Sequence, residues 1–171
     1  NIIKEIIEAM GFRNILKDIT LTNPMKYRIV DFCSGNALVP LLAIYSLPII
    51  EAFAIDIKKR ERNYLPVKRF NYLEMEFQDF YAIDKTTIIT ANHCCKSAPS
   101  IINKWKNSTS SILLLSPCCI GRIENKLPYI VQKKLGKYLS WVFYLANKCE
   151  GQILKNNSSL SPVNLIIKAE K

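Results

Sequence analysis

Three stretches of the chain concentrate side chains that can do chemistry. The first is Asp31-Phe32-Cys33-Ser34-Gly35-Asn36-Ala37, an acid leading into a turn of small residues through which backbone N–H groups can approach a ligand closely. About 25 positions later stands Asp56, spaced to accept hydrogen bonds from both hydroxyls of a ribose. Gln78-Asp79-Phe80 then sets a carboxylate beside an aromatic ring, a cradle suited to adenine. Each acid also has a purely structural reading: Asp31 as a turn cap, Asp56 as a helix N-cap and Asp79 as a solvated loop residue. Two further segments, Asn92-His93-Cys94-Cys95-Lys96 and Ser116-Pro117-Cys118-Cys119, gather one imidazole and four thiols. Three chemistries are open to them. His93 suits general-base catalysis, since an ordinary imidazole titrates near neutrality. The His and Cys set has the ligand types for zinc but lacks C-x-x-C spacing, and no metal is expected. Buried free cysteines also serve simply as packing.

These residues need elements to hold them. Residues 27–32, 52–56, 75–80, 87–91, 111–116 and 163–168 read as strands, most of them short apolar runs. Helical patterns fall between them at 37–45, 59–72 (with Pro66 as a kink), 98–106 and 131–148. A leading helix over 2–10 places Ile2, Ile3, Ile6, Ile7 and Met10 on one face, turns Lys4, Glu5 and Glu8 elsewhere, and is expected to stop at Gly11. Strands alternating with helices predict an α/β fold, a doubly wound and mostly parallel sheet with helices on both faces. The whole chain, 1–171, reads as one domain: 1–23 a leading helix and connection, 24–171 the ligand-binding sheet. In such a sheet ligands bind beyond the carboxyl ends of the strands, where all five stretches fall.

With that order of elements, the chain resembles the class I S-adenosylmethionine-dependent methyltransferases. Asp31 and Gly35 match the acid and a glycine of that family's first motif, whereas Cys33 and Ala37 stand where glycine is commoner. The resemblance implies S-adenosylmethionine as cofactor, with Asp56 on the ribose, Asp79 on the adenine amino group and the Ser34-Gly35-Asn36 backbone on the methionine portion. Asp31, Cys33, Ile57, Phe80 and Asn92 complete the implied cofactor site. A subgroup of such domains, several linked to RNA modification, is similar in having His-Cys after strand four and Cys-Cys after strand five. Here Lys96 replaces a frequent glycine, and no histidine follows Cys119. His93 is the implied catalytic base. A nicotinamide-binding reading lacks its G-x-G-x-x-G fingerprint, and a Walker A loop is absent. The Asn-Pro-Pro-Tyr motif of adenine-N6 methylases is also missing, and Pro117-Cys118 follows the wrong strand for a cytosine-5 nucleophile.

The formal charge of +10 over 171 residues favours a polyanionic partner. RNA is the expected substrate and DNA is not. Lys58, Lys59, Arg60, Arg62, Lys68 and Arg69 would form a basic helix, extended by Lys96, Lys104, Lys106, Lys133, Lys134 and Lys137. Tyr64, Phe80, Tyr81 and Trp105 are candidates for stacking on bases. Other readings are a catalytically silent module that keeps the fold, or a methyltransferase acting on protein or a small molecule. No apolar run is long enough to span a bilayer, so no membrane is expected. The adjacent cysteine pairs and an apolar core point to reduced thiols inside the cell, in the cytoplasm. Residue 1 is Asn rather than Met, as in a trimmed chain or a fragment.

Overall fold

The computed structural model describes residues 2–58, 67–120, 128–157 and 164–171. Its seven strands form a single sheet in the order β3-β2-β1-β4-β5-β7-β6. The strands are β1 (Arg28–Phe32), β2 (Ala52–Asp56), β3 (Phe70–Glu74), β4 (Thr87–Asn92), β5 (Ile112–Ser116), β6 (Gln152–Lys155) and β7 (Leu165–Glu170). From β3 to β5 every pairing is parallel, and β7 runs antiparallel to both β5 and β6. Among the described residues the helices are α1 (Ile2–Thr20), α2 (Leu38–Ser46), α3 (Ala98–Lys106) and α4 (Tyr129–Cys149), the last kinked at Gly136.

Strand side chains alternate between faces, so the central strands feed two cores. Ile29, Ile88, Ile112 and Leu114 pack with Ala9, Phe12 and Leu16 of α1 and with Val39 and Ala43 of α2. Val30, Phe32, Ile89, Leu113 and Leu115 face the other way, onto Ile101, Ile102 and Trp105 of α3 and Trp141 and Leu145 of α4. The doubly wound sheet with helices on both faces is as expected. The strand order reverses between β1 and β4: β1 leads outward to β2 and β3, and the chain then crosses back to β4, parallel to and beside β1. A crevice therefore opens beyond their carboxyl ends, at the topological switch point.

Several expectations need correction. α1 does not stop at Gly11 but continues to Thr20. A Cβ at residue 11 would collide with the side chain of Asn156, whose Nδ2 donates to the Glu8 carbonyl, so this glycine provides close approach rather than a helix end. The face of α1 is also rotated from expectation. Ile2, Ile3, Ile6 and Met10 are exposed, while Glu8 is buried. The aromatic and apolar residues farther along, Phe12, Leu16 and Ile19, dock on the sheet and set the helix's rotation.

The described end of the expected 59–72 helix is strand, since Phe70 and Tyr72 alternate along β3 at the sheet edge; residues 59–66 lie outside the described residues. The third strand accordingly ends at Glu74, and the stretch expected as strand 75–80 instead contains a 3₁₀ turn, Phe77–Asp79. Two aromatic rings pull that turn inward: Phe77 and Phe80 pack on Phe32 at centroid distances of 5.4 and 6.5 Å. The strand β6 had no expectation. The closing strand begins at Leu165, residue 163 lying outside the described residues.

Candidate functional site

The turn after β1 is shaped by three successive departures into left-handed backbone. Cys33, Gly35 and Ala37 have φ of 55°, 53° and 55°. Glycine adopts this region freely, whereas an L-residue pays of order 1–2 kcal/mol. Cys33 and Ala37 thus keep the backbone of a glycine-rich loop without its glycines. The turn is tied down from below. Ser34 N–H donates to the Ile55 carbonyl at 3.1 Å, Gly35 N–H to Asp56 Oδ2 at 2.9 Å, and the Tyr72 hydroxyl to the Gly35 carbonyl at 2.9 Å. Nothing lies within 4 Å of where a Gly35 Cβ would be, so the tip of the turn faces open space.

Asp31 sits beneath the turn, fully buried. Its carboxylate accepts hydrogen bonds from Ser34 Oγ at 2.5 Å and Thr90 Oγ1 at 2.6 Å, which ties β1 to β4. Burial pushes its pKa up to about 7, with the two hydroxyl donors only partly opposing that rise. Asp56, at the end of β2, also accepts the Lys58 N–H at 3.2 Å. A carboxylate has about four acceptor sites, so Asp56 retains capacity for an incoming hydroxyl.

Two concavities meet at Cys33 and Asp56. One, of about 250 Å³, is lined by Glu5, Asp31, the 33–36 turn, Asp56, Asn92 and His93. The other, of about 350 Å³, continues past Ile55, Asp56 and Ile57 to Met75, Glu76, Phe77 and Ser97. Asp31, Cys33, Ser34, Gly35, Asn36, Asp56, Ile57, Asn92 and His93 all line one or the other of these two concavities.

Asp79 and Phe80 line neither concavity. Phe80 is buried against Phe32 and Phe53, and Asp79 is exposed at the end of the 3₁₀ turn. The early end of β3 moves the acid at this edge of the cleft to Glu76, with Phe77 beside it. Spacing could have shown this had Phe70-Asn71-Tyr72-Leu73 been read as an alternating edge strand.

At the other end of the cleft, His93 Nε2 lies 2.6 Å from Glu8 Oε2. Glu8 is buried, and Lys4 Nζ approaches its other oxygen at 3.7 Å. Asn36 Nδ2 donates to Glu5 Oε2 at 2.5 Å. Both glutamates of α1, expected to face away, thus turn into the site; no local pattern marks them, because only docking of α1 fixes its rotation.

Beside His93, Cys95 Sγ lies 3.1 Å from Cys118 Sγ. Cys94 is buried in the α3 and α4 core, where desolvation pushes its thiol well up. Burial likewise raises the thiols of Cys33, to about 11, and of Cys95 and Cys118. Cys119 is raised first by its hydrogen bond with Cys95. None of them is an activated thiolate.

The expected basic and aromatic field is only partly assembled. Lys59, Arg60, Arg62 and Tyr64 fall outside the described residues. Arg69 is engaged structurally, its Nη1 donating to the Ile49 carbonyl at 2.5 Å, and Trp105 is a core residue rather than a stacking platform. Tyr81 is exposed, with Lys104 Nζ 5.1 Å from its ring centroid. It borders a third cavity of about 590 Å³, which also includes Phe80, Asn103 and Lys104 and lies on the α3 side. No described helix is long and apolar enough to cross a membrane.

Comparison with known proteins establishes the fold. No family model matches the chain. Among solved structures, an S-adenosylmethionine-dependent methyltransferase from Aquifex aeolicus superposes with a TM-score of 0.57 at 14% identity, covering 92% of this chain and 88% of that one. A tRNA methyltransferase from Bacillus subtilis gives 0.51 at 15% identity, over 91% and 64% of the two chains. The chain thus has the Rossmann-like fold of these methyltransferases. Among curated proteins, a mouse glutathione S-transferase C-terminal domain-containing protein is 27% identical over 123 residues, or 67% of this chain. That match spans 19% of the mouse protein's length.

Proposed function

We propose that this chain binds S-adenosylmethionine in the cleft beyond β1, β2 and β4 and transfers its methyl group to RNA. One observation carries the reading: the left-handed turn after β1, the Asp56 carboxylate and the Glu76-Phe77 edge line two concavities that join at Cys33 and Asp56. That is an elongated site with an amino-acid end and a nucleoside end. The residues fit the cofactor. The turn at 33–36 would receive the methionine amino and carboxyl groups, Asp56 the ribose hydroxyls, and Ile57, Met75 and Phe77 the faces of the adenine, with Glu76 at its edge. When bound, the cofactor supplies a methyl on a positively charged sulfur, ready for displacement by a nucleophile.

The chain's own part in the reaction is orientation and proton removal. Glu8 accepts from His93 Nε2 and so holds the imidazole in one orientation and tautomer, leaving Nδ1 to take a proton from the acceptor's hydroxyl or amine. The Asp31–Thr90 bond ties the ends of β1 and β4 together near that point. Support for RNA comes from the formal charge of +10 and from the tRNA methyltransferase that shares the fold.

Calorimetry with S-adenosylmethionine and with its demethylated product tests the first half. Both should bind, and Asp56→Ala should weaken binding by about 1.5 to 3 kcal/mol as charge-assisted hydrogen bonds are lost. No heat and no thermal shift with either ligand would overturn it. Methyl transfer from labelled cofactor into total RNA, protein and small-molecule fractions tests the second half. Label in protein or metabolites but not RNA would replace the acceptor, and binding without transfer to any fraction would leave a silent module.

A further inference from the structure

β4 and β5 are parallel neighbours whose last residues, Asn92 and Ser116, sit opposite each other. Chains leaving paired strands at the same level stay close, and the His93 N–H to Ser116 carbonyl bond of 2.9 Å extends the pairing one step further. Beyond it, His93 and Cys95 both take left-handed backbone, with φ of 57° and 38°. This reversal brings the Cys95 side chain toward the segment that follows Pro117. The result is a convergence of three sulfurs: one ligand atom each from Cys95, Cys118 and Cys119, all within 4.8 Å of one another.

We propose that Cys95, Cys118 and Cys119 form a zinc site, supplying three ligands from among the described residues. Zinc–sulfur bonds of about 2.3 Å in tetrahedral geometry set the sulfurs about 3.8 Å apart. Cys95–Cys118, at 3.1 Å, is closer than that value, and all three sulfurs lie within 4.8 Å of one another. Opening the Cys95–Cys118 pair by about 0.7 Å would bring it to that spacing. A disulfide would need only two of these sulfurs; the third is what a metal requires.

The donor set is all thiol, which selects a thiophilic ion of no fixed geometry over magnesium or calcium. Three thiolates and Zn²⁺ leave one negative charge, and the Lys96 ammonium lies near enough to act on Cys119. Cys119 is exposed, so the cluster borders solvent. The proposal is independent of methyl transfer: it needs no cofactor, and its test does not read activity.

The chain, purified in a non-thiol reductant, is equilibrated with zinc, freed of unbound metal by gel filtration and analysed for metal content. The expected result is about one zinc per chain. Cys119→Ser changes an exposed position and should keep the fold by circular dichroism. It should weaken zinc binding by roughly 100-fold or more, because loss of a ligand exceeds the 10- to 100-fold cost of losing a supporting group. Cadmium substitution should give ultraviolet thiolate-to-metal absorption scaled to three sulfurs. Zinc should also shield Cys95, Cys118 and Cys119 from iodoacetamide while leaving Cys33 unchanged. Zinc content equal in the wild type and in a variant with all three cysteines replaced by serine would overturn the proposal. So would absence of cadmium–thiolate absorption in a folded wild-type chain.

Discussion

The turn after β1 and the paired turns after β4 and β5 lie at the same edge of the sheet, yet they are assembled differently. The first draws its cleft-lining groups from consecutive residues, 33 to 36, and adds one carboxylate from the neighbouring strand. The second joins residues 23 apart in sequence through strand pairing, and reaches 85 residues back to Glu8 for the partner of His93. A site made of neighbours in sequence leaves a spacing that can be read. A site made of neighbours in space does not, and its parts look like isolated cysteines, a lone histidine and an acid on a helix.

The comparison breaks most directly at His93. His93→Ala should slow methyl transfer to RNA by about 10² to 10⁴-fold while leaving cofactor affinity nearly unchanged, as loss of positioned proton transfer does. Glu8→Gln should slow it less, because the imidazole loses the group that orients it. Single-turnover kinetics with calorimetry separates the two. Equal losses of affinity and rate in His93→Ala would merge the two regions into one binding surface.

Asp31 tests the other region. It is raised from 3.8 to about 7 by burial, so between those values the folded chain holds a proton that the unfolded chain releases. Stability from this group is therefore fully present below about pH 4, falls as pH rises, and is lost above about 7. Asp31→Asn should remove that slope, with a difference on the order of 2 to 4 kcal/mol between pH 5 and pH 8 in urea unfolding. Parallel pH profiles for wild type and variant would show that the carboxyl is not desolvated.

A smaller effect distinguishes two acids. Glu76→Ala should weaken cofactor binding by about 1 to 2 kcal/mol if it meets the adenine edge, whereas Asp79→Ala should leave it within about 0.5 kcal/mol. Calorimetry on the pair decides, and the reverse order would return Asp79 to the site. Smallest of all, Ala37→Gly should be stabilising by up to about 1 kcal/mol, since relief of left-handed strain outweighs glycine's entropy cost. Thermal unfolding measures it.

What was legible in the sequence follows the same division. The βαβ alternation, the strand ends at Asp31 and Asp56, and the cleft residues between 31 and 36 could be read because local spacing and strand order determine them. Glu76 is harder to read: the stretch 75–80 reads as strand and points to Asp79, whereas the alternation of Phe70 and Tyr72 is what forms β3. Glu5 and Glu8 were unreadable: their orientation depends on which face of α1 docks, and Phe12 and Leu16 decide that against the isoleucines at the start. Strand order made it readable that the segments after β4 and β5 lie at one end of the sheet, but not that Cys95 in particular meets Cys118 and Cys119, since that depends on the left-handed backbone at His93 and Cys95.

The contact of Asn156 with α1 has a consequence for the order of events during synthesis. Its side chain bonds to the carbonyl of a residue 148 positions earlier, against the one helical position that has no Cβ to obstruct it. At about 5 to 20 residues per second, roughly 7 to 30 s separate the emergence of the two partners from the ribosome. During that interval α1 has its first sheet neighbours but not its last anchor. Glu8 then waits with the helix, so the His93 pair settles only after the chain has been made as far as the end of β6.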